Sequence, residues 1–394
     1  MLPPLAPDEK SAVDDIDHRS VLNTHLEWTP EFVLRLSDGR TGQAAAPRAE
    51  TPSMYEEQVP RPAGDSDQVA AEARAAFVGR AFDQESFDDE LSRRRSRWGH
   101  AACYALSAAF FEASLHRFRG STGGRKACPR LLFNLLNGGL HAYSLPVTSD
   151  FTEFLLVPRG IDTVRAIDGY RRLLREARTA VARLPLRAVG GNPVHDLGPD
   201  PNAQALSLVS TLLERVGLAE AFGIMIDASA GDWFDETGRY VLPVSGRRFD
   251  RDGLVDYWLD LLIRFDVVML EDPLAETDMD GWSALHDARP SGCRLLGDNF
   301  TSTCSTQLAA KARHVDGVLL KPDQIGLMSG VYQFASLARD HGLPLIASAR
   351  SVETDNPLIS HVATELCLDY LKAGPYQDFS SVMRSNELLR AGAA

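Results

Sequence analysis

Short apolar runs of strand length recur through the C-terminal part of the chain, at residues 223–226, 267–270, 294–296, 317–320, 344–347 and 370–371, alternating with amphipathic stretches of helical period. Six β–α units in a row predict a parallel sheet covered by helices. Two further apolar stretches, residues 130–136 and 151–157, precede long helical patterns at 163–183 and 202–216. They bring the strand count to eight, the number that closes a barrel. The upstream pattern differs. Residues 31–46 alternate apolar and polar positions around Asp38-Gly39, the signal for a hairpin of two edge-like strands. Residues 45–53 are too rich in proline and small side chains for regular structure, and helical periodicity returns at 68–81 and 98–117. Strands first and helices after predict a small α+β domain. Adjacent glycines in Gly120-Ser-Thr-Gly-Gly-Arg-Lys126 mark the best linker. The expected fold is therefore α/β, with an N-terminal α+β domain over 1–127, opening on a loose acidic arm over 1–17, and a barrel over 128–394.

Composition narrows the classes of partner. The chain has 394 residues, 44% of them hydrophobic, enough for a sizeable core. Asp+Glu outnumber Lys+Arg 54 to 41, and no basic run is long enough to hold a phosphate backbone, which argues against nucleic acid. The five cysteines (103, 128, 293, 304, 367) are widely spread with no CxxC pair, so neither a disulfide framework nor a zinc knuckle is expected. That usage fits a reducing, cytoplasmic setting. The N-terminus lacks the positive and apolar regions of a signal peptide. The most apolar stretch, 101–115, is interrupted by Ser107, Glu112 and Ser114 and falls short of the roughly 20 residues a bilayer needs, so it reads as a buried helix rather than a membrane span.

The chemistry lies in what closes each strand. Asp227 follows Gly-Ile-Met-Ile, Glu271 follows Val-Val-Met-Leu, Asp298 follows Leu-Leu-Gly, Lys321 follows Val-Leu-Leu, Arg350 follows Ile-Ala-Ser-Ala and Lys372 follows Tyr-Leu. In a (β/α)8 barrel the C-terminal strand ends converge on one mouth. Three carboxylates on neighbouring strands offer the hard oxygen ligands that suit Mg2+. A single acid there would more simply cap the helix that follows; three in consecutive units, with two lysines after them, favour the metal. Lys321 follows a strongly apolar run, and a second ammonium at Lys372 beside it would lower its proton affinity towards that of a general base. A base facing a metal implies carbanion chemistry.

These residues and their order resemble the enolase family from about His18 to Arg390. The match includes Phe133-Asn-Leu-Leu-Asn-Gly-Gly-Leu-His141-Ala, Glu153-Phe, Asp227 with Asp232-Trp-Phe, Leu270-Glu-Asp-Pro273 with Gly281-Trp282, Gly297-Asp298, Leu320-Lys-Pro-Asp-Gln-Ile-Gly326, Ser348-Ala-Arg-Ser-Val-Glu-Thr354 and Leu371-Lys-Ala-Gly374. The resemblance implies an enolase-like barrel, a homodimer, and a lysine base facing Mg2+ that holds an enediolate. It makes Asp227, Glu271 and Asp298 the ligands of one firm Mg2+ site, with a second ion conceivable, and Lys321 the base. Lys372 would bind the substrate carboxylate, Arg350 and Ser351 the phosphate, and His141 and Glu153 would stand near the reacting end. The substrate it implies is a small anionic phosphorylated carboxylate.

The departures bear on which reaction is run. The family's Gly-Asp-Glu-Gly-Gly segment reads Gly190-Gly191-Asn192-Pro193-Val194, so Asn192 stands where the acid that protonates the leaving hydroxyl is expected. Loss of a general acid costs about 10²–10⁴ in rate. The family's active-site histidine is replaced by Ala349, and a Gln-Glu pair reads Thr152-Glu153. The loop that carries a metal-binding serine in the family reads Pro47-Arg-Ala-Glu-Thr-Pro-Ser53. Thr51 would still offer an oxygen to the second ion, and Arg48 adds a cation suited to a second anionic group. Within the family the chain is most similar to the carboxyphosphonoenolpyruvate synthases. That likeness implies a phosphonate or nucleotide-phosphonate cosubstrate. Ordinary enolase activity with Glu153 as acid is one alternative, and a non-catalytic, enolase-derived binding protein is another; the latter has no need to keep like charges together.

Overall fold

The computed structural model describes residues 10–50, 52–56, 66–115, 129–138, 144–376 and 378–393. The chain opens with β1 (Ser11–Leu22), β2 (Trp28–Leu36) and β3 (Thr41–Ala45), continues through α1 (Ser66–Phe77), β4 (Ala81–Phe82), α2 (Gln84–Ser92) and α3 (Arg95–Trp98), and closes the small domain with α4 (His100–Leu115). The strands form one antiparallel sheet of order β3-β2-β1-β4. The hairpin at Asp38-Gly39 is present, but β2 is internal, so only one of its two strands is an edge. The acidic stretch read as a loose arm is, from Ser11 onward, the longest strand of this sheet. A bulge between Val13 and Asp15 puts Val13 and Ile16 on the buried face with Asp14 and Asp17 in solvent, and that irregular spacing hides the strand period. Helix α4 is apolar nearly all round and correspondingly buried, packed on β2 and β3. The approach is so close that a Cβ on Gly42 would lie 2.0 Å from the Ala109 carbonyl oxygen.

The barrel follows in the order β5 (Arg130–Asn137), β6 (Glu153–Pro158), α5 (Thr163–Val181), β7 (Leu186–Val189), β8 (Asn192–His195), α6 (Pro201–Arg215), β9 (Phe222–Asp227), β10 (Tyr240–Val241), β11 (Arg248–Phe249), α7 (Arg251–Arg264), β12 (Val267–Glu271) and α8 (Met279–Ala288). It continues through β13 (Arg294–Gly297), α9 (Ser305–Lys311), β14 (Gly317–Leu320), α10 (Pro322–Ile325), α11 (Met328–Asp340), β15 (Leu345–Ser348), α12 (Leu358–Glu365), β16 (Tyr370–Lys372) and α13 (Phe379–Leu388). Eight strands close on themselves as β5-β6-β9-β12-β13-β14-β15-β16. The sheet is not wholly parallel as expected, because β6 runs antiparallel to both β5 and β9. No described helix separates β5 from β6, and without a crossover helix the chain returns antiparallel. The linker read at 120–126 and the boundary at 127 lie outside the described residues.

Inside the barrel each strand contributes to one apolar plug: Leu132, Leu155 with Val157, Met225, Met269, Leu296, Leu319, Ile346 and Tyr370. Alternate residues such as Phe133, Ile226, Leu270 and Leu320 point the other way into the helical shell. The small domain is fastened to α11 by buried polar contacts: Ser329 N–H donates to Asp88 at 2.7 Å and Met328 N–H to Ser107 at 2.9 Å. In that position the β1–β2 turn, with Thr24 and His25, reaches the barrel mouth. No helix among the described residues is long and apolar enough to cross a membrane.

Candidate active site

Strand period two explains the site. One inward position above the plug, each barrel strand presents a polar residue: Asn134, Glu153, Asp227, Glu271, Asp298, Lys321, Ser348 and Lys372, two residues from Leu132, Leu155, Met225, Met269, Leu296, Leu319, Ile346 and Tyr370 respectively. On β6 the polar residue begins the strand instead of ending it, because that strand runs the other way. Helix capping does not account for these acids, since α5, α7, α8 and α13 are capped by Asp162, Asp250, Asp278 and Asp378. Above the layer lies a cavity of about 540 Å³, lined by Glu153, Asp227, Asp298, Lys321, Arg350 and Lys372 among others. Glu271 is fully buried behind them.

The layer is tied by ion pairs. Lys372 Nζ lies 2.5 Å from Asp227, 2.8 Å from Glu153 and 3.0 Å from Glu271, while Lys321 Nζ lies 2.5 Å from Asp298. The two ammonium groups thus face carboxylates, so Lys321 and Lys372 are not set against each other as the sequence led us to expect. Burial alone would lower Lys372, but Asp227, Glu153 and Glu271 outweigh it and hold it well above the usual lysine range. Burial would raise Asp227, yet Lys372 draws it below the usual carboxylate value. Burial and the Asp227 charge push Glu271 well up, and burial with the Asp298 charge does the same to Asp272. Asp272 receives the N–H groups of Asp298 (3.0 Å) and Asn299 (2.7 Å), which sets the loop that carries Asp298.

Four carboxyl groups share two ammonium groups in this layer, a surplus of two acids, and Asp298 Oδ1 is buried with no hydrogen-bond partner among the described residues. That surplus and the all-oxygen donor set fit a hard divalent cation such as Mg2+. As placed, no group of three acids, histidines or cysteines among the described residues is gathered to hold a metal, because the triad is divided between the two lysines.

A second charged cluster stands beside the first. Arg350, buried, pairs with Glu56 at 2.9 Å and Asp323 at 3.1 Å, and its N–H donates to Glu353 at 2.6 Å. Glu353 in turn pairs with the buried Arg384 at 2.9 Å. Burial raises Asp323 to about 6 in spite of Arg350, whereas Glu56, penalised by burial, is drawn below its usual value by Arg350. Glu56 lies among the described residues 52–56, which are pinned to the rim by Ser53 against Ser302, by Tyr55 over Lys311 Nζ at 4.1 Å, and by Gln324 donating to Glu56 at 3.0 Å.

The expected site residues do not all meet. Asp227, Asp298, Lys321, Lys372, Arg350, Ser351 and Glu153 line the cavity. Lys372 is engaged with acids, and Ser351 Oγ accepts the Glu50 N–H at 2.8 Å. Asn192 sits apart, exposed on the β7–β8 hairpin and outside the cavity wall; the Gly190-Gly191 turn, with φ +55 and +85, carries the hairpin out. Arg48 is likewise outside the wall: its guanidinium grips Glu27 at 2.7 Å on two sides while its backbone pairs with Val352. Thr51 and His141 lie outside the described residues. Asn134, Glu56, Asp323, Glu353 and Arg384 were missed as site residues. Period-two counting from Leu132 finds Asn134, but no sequence signal singles out Glu56 or Arg384.

The chain matches the family model of the enolase C-terminal TIM barrel domain over residues 125–393, well over half its length. With the closed barrel, its antiparallel second strand and the acid–lysine layer at the mouth, this match shows that the chain belongs to the enolase family.

Proposed function

We propose that this protein is a magnesium-dependent enzyme that removes the proton next to the carboxylate of 2-phosphoglycerate or a close analogue. More finely, we infer a carboxyphosphonoenolpyruvate synthase, which joins phosphonoformate, free or nucleotide-activated, to an enolpyruvyl unit in phosphonate antibiotic biosynthesis. The observation that carries the first statement is one polar layer in which Lys321, Lys372 and three carboxylates, Glu153, Asp227 and Asp298, face one cavity with Glu271 behind them. Asp227, Glu271 and Asp298 would hold Mg2+, which supplies positive charge against the carboxylate as negative charge builds on it. Lys321 accepts the C2 proton in its neutral form, so its pair with Asp298 opens first. Lys372 and Arg350 neutralise the substrate's two anionic ends once their present acid partners give way. Asn192, an amide on an exposed hairpin, supplies no proton to a leaving hydroxyl, which supports a redirected outcome over simple dehydration.

A second reading, ordinary dehydration to phosphoenolpyruvate, is favoured by Glu153 lining the cavity. Both its oxygens already face donors, Asn134 at 2.6 Å and Lys372 at 2.8 Å, so acting as acid requires exchanging one of them. NMR of 2-phosphoglycerate with protein and Mg2+ in D2O, with and without phosphonoformate, separates the two. Deuterium uptake at C2 without phosphoenolpyruvate, and a new phosphorus signal with phosphonoformate or its nucleotide ester, is the expected result. Rapid phosphoenolpyruvate formation favours the second reading, and absence of exchange overturns both.

A further inference from the structure

Beyond β16 the cavity wall is built by Gly374, Pro375, Asp378, Ser381 and Arg384, none of which belongs to the strand-end layer. Ser381 is fully buried, yet its hydroxyl has no hydrogen-bond partner among the described residues. Arg384 is 1% exposed; its Nη1 donates to the Ala373 carbonyl at 3.0 Å, while its Nε has no such partner among the described residues. Buried donors left unmatched in a fold are uncommon and point to something that matches them. Gly374 keeps the hydroxyl clear: its φ of +97 favours glycine, and a Cβ there would lie 2.9 Å from Ser381 Oγ.

The surrounding charge is already matched. Glu353 is held by Arg384 and the Arg350 N–H, and Asp378 by the Ser380 N–H at 3.2 Å at the start of the ten-residue α13. What is left over is the Ser381 hydroxyl and the Arg384 Nε–H, two buried donors one helical turn apart that can hydrogen-bond an oxyanion. The cavity's volume of about 540 Å³ falls in the range of roughly 300–1,000 Å³ that takes drug-sized ligands, more than a three-carbon phosphorylated acid fills.

We propose that Ser381 and Arg384 form a second oxyanion subsite, which takes the phosphonate or carboxylate end of a second substrate beside the acid held at the strand-end layer. Its assignment to a second substrate rests on the two-substrate reading above; the subsite itself rests on the unmatched donors.

The test is calorimetric titration of the full chain with Mg2+, using phosphonoformate and, separately, 2-phosphoglycerate as probes. Ser381→Ala, which removes one oxygen, is expected to weaken phosphonoformate about tenfold, the worth of one hydrogen bond to an anion, and 2-phosphoglycerate far less. Phe379→Ala, on the exposed face of the same helix, is expected to alter neither. In the wild type, saturating 2-phosphoglycerate is expected to leave phosphonoformate binding in place. No binding of phosphonoformate at millimolar concentration, its full displacement by 2-phosphoglycerate, or equal loss of both ligands in Ser381→Ala overturns the subsite. Ser381-dependent binding with no product from the two substrates together keeps the subsite and overturns the two-substrate reading.

Discussion

Two charged clusters meet at one cavity and are built on opposite principles. The lysine cluster is placed by β-strands: Glu153, Asp227, Glu271, Asp298, Lys321 and Lys372 occupy one level because each stands two residues above an apolar plug. The arginine cluster is placed by loops and a helix: Arg350 is satisfied by Glu56 from the rim segment and Asp323 from α10, and Arg384 on α13 by Glu353. A strand layer fixes its members within fractions of an ångström and suits proton transfer, which fails with small displacements. Loop-borne partners exchange easily and suit capture and release of an anion. The first cluster should therefore respond to substitution as chemistry, the second as affinity.

The largest effect is expected at the base. Lys321→Ala should lower deuterium exchange at C2 of 2-phosphoglycerate by about 10³-fold or more, measured by proton NMR, with the far-UV spectrum unchanged. Exchange that survives removes Lys321 from the role.

Lys372 comes next, because three acids lean on it. Lys372→Met leaves Asp227, Glu153 and Glu271 without their shared cation, and losing one side of a buried ion pair costs about 3–5 kcal/mol. Thermal unfolding should show that loss, and millimolar Mg2+ should restore more stability to the variant than it adds to the wild type. Equal effects of Mg2+ on both would mean that the metal does not bind where Lys372 now sits.

A smaller effect, with a definite sign, is expected from Asp323. Its carboxyl titrates at about 6 in the fold against 3.8 unperturbed. Between those values the folded chain holds a proton that the unfolded chain has lost, so this group's contribution to stability falls as pH rises from 4 to 6. Above pH 6 the penalty is complete, on the order of 2–3 kcal/mol. Asp323→Asn should therefore be more stable than the wild type at pH 7 by denaturant unfolding, with the gap closing towards pH 4. Glu271 and Asp272, also raised, slope in the same direction.

The two clusters were unequally legible in the sequence. An acid or lysine at the end of an apolar run is visible without a structure, and five of the six strand-end groups line the cavity with Glu271 directly behind. Glu153 escaped the strand-end rule because nothing in the apolar pattern tells a parallel strand from an antiparallel one, and β6 begins at the mouth. The arginine cluster was largely hidden. Nothing in the local sequence sets Glu56 apart from a solvated loop charge or Arg384 from any cation on an amphipathic helix; only long-range packing between residues 56, 323, 350, 353 and 384 brings them together. Asn192 failed in the other direction: its alignment with a catalytic acid was plain, but the hairpin that carries it points outward. The β1 strand was lost to a bulge that spoils period two.

The smallest effect is the one that decides whether the second cluster works by capture. Glu56 places a carboxylate on Arg350 where an incoming phosphate would compete for the same donors, at 2.9 and 3.0 Å. Glu56→Gln keeps the shape and the Gln324 contact while removing the charge, so Arg350 should hold an anion more readily. A three- to tenfold gain in affinity for 2-phosphoglycerate, about 1 kcal/mol, is expected by calorimetry at low salt, shrinking as salt screens the remaining charges. The opposite outcome, a loss of affinity, would mean that Glu56 holds Arg350 in its working position. The arginine cluster would then be as preorganised as the lysine layer, and the distinction between a strand-built reaction centre and a loop-built anion trap would fall.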